Sequence, residues 1–130
     1  MEIVALVVAF IFVAIAAACE AVMDKLQFHY HKSIFPDATR FNQLFWNPNE
    51  SWKNKWAEDG KTERFPGSST IFVFTTDAWH LYKFFNHTSI FVGLPLLALG
   101  SLNVVLAVIL ARIMYGLVFT LFFDHILVKK

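Results

Sequence analysis

The chain has 130 residues, 57% of them apolar, with 15 phenylalanines and a charged fraction of only 16%. That excludes a disordered chain, which needs low hydrophobicity and high net charge, and falls short of the roughly 25% charge of soluble domains. A formal net charge of +1 gives no basic field for nucleic acid, and a lone cysteine, Cys19, excludes a disulfide framework and a cysteine-rich zinc site.

Ile3 to Cys19 is an unbroken apolar run, and Ala21, Val22 and Met23 extend it past Glu20. About 20 helical residues cross a bilayer core, so the segment predicts a first transmembrane helix over about 3–31. A cleaved signal peptide needs a positive start and a shorter apolar core. Met1-Glu2 has no Lys or Arg, so the helix is expected to be retained, and a lipoprotein reading of Ala16-Ala17-Ala18-Cys19 fails for the same reason.

Residues 32–68 follow as a cytoplasmic segment of the same single membrane domain. It is rich in aromatic residues, with Trp46, Trp52 and Trp56 among them. Trp46-Asn47-Pro48-Asn49 marks a turn, and Ser51 is placed to cap a short helix carrying Trp52 and Trp56 four residues apart. Tryptophan beside Lys53 and Lys55 fits a helix lying on the membrane surface; the alternative is packing against the protein's own helices.

Between Lys83 and Asp124 the only Asp, Glu, Lys or Arg is Arg112. That apolar stretch is long enough for two crossings, and Gly100-Ser101 with Asn103 supplies the turn. Ser68-Ser69-Thr70 after Pro66-Gly67 is a helix-start signal. A second span is therefore expected over about 69–99, kinked at Pro95, and a third over about 102–128. A four-span alternative needs a turn near Asn86-His87 and another near 104–107, and Val104 to Ala107 holds no breaker. The expected fold is all-α with three spans. Lys25, Lys32, Arg40, Lys53, Lys55, Lys61, Arg64 and the terminal Lys129-Lys130 place the segment and the C-terminus inside and the N-terminus outside. A bacterial inner membrane is the default location.

Ionisable residues within spans usually face the bundle interior or a wet cavity. On a continuous first helix, Glu20, Asp24, Gln27 and His31 share one face. Asp77 and His80 stand three residues apart on the second, and Asp124-His125 ends the third. Carboxylates and imidazoles from facing helices build metal sites in bundles. Asp24, His31, Asp77 and His80 are therefore candidate ligands for zinc, iron or manganese. Glu20, Asp77 and His80 are candidate catalytic groups, with His29, Asp124 and His125 as second choices. Arg64, Lys83 and Arg112 are candidates for holding a lipid phosphate, and so are the free N–H groups after Pro66-Gly67. Arg112, near mid-span, is expected to face inward toward Glu20 or Asp77.

The leading expectation is a metal-dependent enzyme acting on a lipid or lipid-linked phosphate. The alternatives are a non-enzymatic oligomeric subunit, with a second copy or another membrane subunit as partner, and a proton-coupled channel or transporter. The bland reading of the polar groups is headgroup-level residues that end each span.

Overall fold

The computed structural model describes residues 2–100 and 103–130. Three long helices dominate it: α1 (Glu2–Phe28), α2 (Ala78–Leu99) and α3 (Val104–Ile126), the last six residues of α3 being π-wound. No strand forms among the described residues; Ser33 with Val128 and Trp56 with Glu63 make isolated bridges. Short helical turns at Tyr30–Lys32, Gln43–Trp46, Pro48–Ser51, Trp52–Lys55 and Val73–Thr75 punctuate the segment between α1 and α2. Of the helices, α1 and α3 are long and apolar enough to cross a membrane.

The bundle is organised around α1. Gly93 of α2 packs against Ala9, Phe12 and Val13, Gly100 packs against Leu6, and Asn86 reaches Ala16. These pairs step in opposite directions along the two chains, so α1 and α2 are antiparallel. A Cβ on Gly93 would stand 3.2 Å from Phe12 Cβ and 3.4 Å from the Ala9 carbonyl oxygen, so the helices meet there without a side chain between them. Tyr115 meets Glu20, and Phe123 meets Lys25 and His29, so α3 runs parallel to α1. Ala107 and Ala111 of α3 join Ala9, Val13 and Leu97 in one core cluster. Helices α2 and α3 touch each other little. The C-terminal ends of α1 and α3 and the N-terminal end of α2 therefore gather at one end of the bundle, with the 29–77 segment.

That segment is folded. Phe35, Phe41 and Trp46 form an aromatic group that reaches Tyr82 of α2. The Asn54 side-chain amide donates to the backbone oxygens of Leu44 and Thr76, the latter at 2.9 Å, tying the middle of the segment to the start of α2.

Several boundaries differ from expectation. Helix α1 stops at Phe28, and a 3₁₀ turn follows, so Tyr30, His31 and Lys32 leave the helical path. Helix α2 begins at Ala78, about nine residues later than Ser69. The cap is Asp77, whose Oδ1 accepts the His80 N–H at 2.9 Å. Residues 69–77 are rich in β-branched Thr, Ile and Val, which favour other conformations over helix. Ser51 makes no side-chain cap; Asn47 caps Pro48–Ser51, and Trp52–Lys55 is a 3₁₀ turn. Asn103 caps α3, its Oδ1 accepting the Val105 N–H at 2.9 Å. The remaining part of the expected turn, Ser101 and Leu102, lies outside the described residues.

Candidate functional site

Three polar groups meet inside the bundle. The Tyr115 hydroxyl donates to Glu20 Oε2. The Asn86 amide donates to the Ala16 carbonyl oxygen at 2.7 Å and to the Tyr115 hydroxyl oxygen at 3.4 Å. One residue from each long helix thus takes part, and the half-buried Glu20 carboxylate has a donor. A buried polar network of this kind favours one arrangement of the helices, because each alternative leaves a polar atom unpaired. Glu20 was expected in a site. Asn86 and Tyr115 were not, because their partners lie 70 and 95 residues away in the chain.

At the start of α2, Asp77 is buried and serves two neighbours. Its Oδ1 caps the helix, and its Oδ2 lies 2.7 Å from His80 Nδ1. Thr76 Oγ1 donates to the same Oδ2 at 3.2 Å. The carboxylate fixes the imidazole's orientation and tautomer, as in an acid–base pair. The adjoining cavity, lined by Asn54, Arg64 and Thr76 among others, does not include His80 in its walls.

The other expected ligands do not join this pair. Asp24 remains on α1, half-buried, while His31 sits exposed in the 3₁₀ turn beyond the helix end. The shared face proposed for Glu20, Asp24 and His31 required a helix that continued, and it does not. Asp124 and His125 are exposed on the π-wound end of α3. Among the described residues there is no group of three or more His, Cys, Asp or Glu side chains placed to hold a metal ion. Asp24, His31, Asp77 and His80 therefore do not assemble into the expected metal set.

The cationic candidates are dispersed. Arg64 is exposed and its Nε donates to the Trp56 carbonyl oxygen at 3.3 Å. Lys83 lies over the Trp79 ring, 4.8 Å from its centroid. The N–H groups at the start of the Pro66-Gly67 loop are taken by the chain itself. Glu63 accepts from Gly67 N–H at 2.9 Å, from Ser69 N–H at 3.1 Å and from the Ser69 hydroxyl. These bonds, the Ser69 hydroxyl first, hold the Glu63 carboxyl below its usual range.

Arg112 departs most from expectation. It is exposed on α3, and the ion pairs among the described residues are Lys53–Glu50 and His80–Asp77. Neither Glu20 nor Asp77 pairs with it. Its guanidinium lies along α3 toward Gly116, where a Cβ would be 3.5 Å from Nη1. Arg112 borders an open groove with Gly116, Thr120 and His125. It also stands on the rim of an apolar cleft of about 210 Å³ between α2 and α3, floored by Val13 and Ala16 of α1.

No protein-family model matches the chain, and neither does any curated protein or solved structure.

Proposed function

We propose that the chain is a three-span membrane protein, with its N-terminus outside and its C-terminus inside, that works as a subunit of an assembly of its own copies. The topology reading rests on the antiparallel run of α2 between two apolar helices, together with the Lys and Arg residues gathered beside the inner end. At 22 residues, α2 is long enough to span, and its polar half lies at the end of the bundle that carries the folded segment.

The observation that carries the assembly reading is Arg112. An arginine near the centre of a span costs about 2.5–3.5 kcal/mol on insertion scales. Here it faces outward, beside Gly116 and at the mouth of a cleft that α2 and α3 leave open. A neighbouring helix laid across that cleft, with a side chain filling it, would cover the guanidinium and offer it carboxylate or carbonyl oxygens. Small residues at the contact, Gly116 and Ala111, allow close approach. A metal-dependent enzyme acting on a lipid phosphate has less support, because its ligands do not gather.

The test is energy transfer between donor- and acceptor-tagged copies in liposomes diluted with increasing lipid. Wild type should keep its transfer on dilution. Arg112→Leu, with unchanged helix content, should lose it at roughly tenfold less lipid, the equivalent of about 1.4 kcal/mol. Transfer in wild type that falls as in a monomer control would sink the proposal.

A further inference from the structure

A second surface lies where α3 ends. There the tail returns along the stretch that follows α1. The Ile34 N–H donates to the Leu127 carbonyl oxygen at 3.2 Å, and the Lys129 N–H donates to the Lys32 carbonyl oxygen at 3.1 Å. Ser33 and Val128 form an antiparallel bridge between these contacts. Beside this seam opens a cavity of about 630 Å³. Ile34, Pro36 and Val128 contribute apolar wall, and Arg40, Lys129 and Lys130 contribute positive charge.

Two features set this cavity apart from scattered surface lysines. The backbone pairing fixes the Lys129 backbone before any ligand arrives, so the tail that carries the ammonium need not be ordered on binding. The apolar wall also takes in Ile126 at the end of α3, which is close to half exposed. Asp37 is the one acidic side chain in the cavity wall. It accepts from the Thr39 N–H at 3.0 Å and the Thr39 hydroxyl at 2.6 Å, and it offsets only part of the positive charge of the three basic residues.

We infer that this cavity binds the phosphate headgroup of an anionic membrane phospholipid, with its acyl chains lying along the apolar face of α3. The inference rests on the three-span reading, which sets the end of α3 at headgroup level, and not on assembly through Arg112. A phosphate brings negative charge to Arg40 and Lys129. Arg40 presents the planar fork that grips phosphate with two parallel hydrogen bonds. The acyl chains account for the apolar wall, which a free phosphate would leave wet. The excess positive charge selects an anionic lipid over a zwitterionic one.

The experiment is native mass spectrometry of the full chain released from mild detergent after incubation with phosphatidylglycerol or phosphatidylcholine. Wild type should retain phosphatidylglycerol with roughly tenfold preference. Arg40→Gln/Lys129→Gln should lose that preference, while the distant pair Lys53→Gln/Lys61→Gln should keep it. Both basic pairs stand on exposed or half-exposed positions, and circular dichroism checks that helix content is equal. Equal retention of the two lipids, or an unchanged preference in Arg40→Gln/Lys129→Gln, would overturn the inference. Displacement of the lipid by millimolar inorganic phosphate would overturn it too and mark a free-anion site. Alkaline extraction of the protein from liposomes separates the two readings. A chain that stays in the bilayer but shows no lipid preference refutes only the headgroup site. A chain that washes off refutes the spans as well.

Discussion

Glu20 illustrates how one side chain sets the conditions for its neighbours. A carboxylate inside an apolar bundle needs a donor, and Tyr115 provides it while Asn86 holds the tyrosine oxygen. Tyr115→Phe removes the donor and leaves the carboxylate unsatisfied, at a cost of about 1–3 kcal/mol. Unfolding in a graded detergent mixture should show that loss, and Tyr115→Phe in a Glu20→Gln background should cost clearly less. Glu63 offers a second test, on pH. Its carboxyl is held below the usual 4.5 by hydrogen bonds in the folded state. The stability it contributes is therefore complete above about 4.5 and is lost as the pH falls through its lower folded value. Tryptophan fluorescence of the segment should report loosening on acidification below pH 4.5, and Glu63→Gln should flatten that response. Glu20 stood out in the sequence as a charge in an apolar run. Tyr115 and Asn86 did not, since either is ordinary in a helix until the register of three helices is known.

The helices themselves were largely legible, because long apolar runs leave few alternatives. Their ends were less so. The Asp77 cap competes with the Ser68-Ser69 signal upstream, and Asp77 prevails because Glu63 already satisfies the N–H groups of the Pro66-Gly67 loop. The early stop of α1 mattered most for function. Once Phe28 ends the helix, His31 no longer follows Glu20 and Asp24 on a common face, and the expected metal set dissolves. The contact between α1 and α2 gives the test at this scale. Gly93→Leu places a side chain against Phe12 and the Ala9 backbone, which has no flexible end to yield. It should destabilise the fold by about 1–3 kcal/mol, lowering the detergent-unfolding midpoint, while Gly60→Asn, at an open turn whose φ of +67° Asn tolerates, should leave the midpoint close to wild type.

Across the molecule, polarity is distributed unevenly along the bundle axis. The end formed by Leu6, Gly100 and Asn103 carries little charge, while the opposite end holds Asp77, His80, Lys25 and the folded 29–77 segment. This asymmetry was readable as charge bias. The tertiary structure of the segment was not, because it depends on distant partners such as Asn54 with Thr76 and Ser33 with Val128. Aromatic residues that looked suited to a membrane surface divide between two roles. Trp46 packs inside, against Phe35 and Tyr82, while Trp52 is half exposed.

The π-wound end of α3 decides which residue continues the face that carries Arg112. Arg112, Gly116, Thr120 and Asp124 recur every four residues and would form one continuous stripe on an unbroken α-helix. The π segment takes in one residue more per turn, which rotates everything beyond it by about 100°. It acts as a phase shifter. The stripe passes from Asp124 to His125, which lines one groove with Arg112, Gly116 and Thr120, so an imidazole and not a carboxylate ends the arginine's side of the rod.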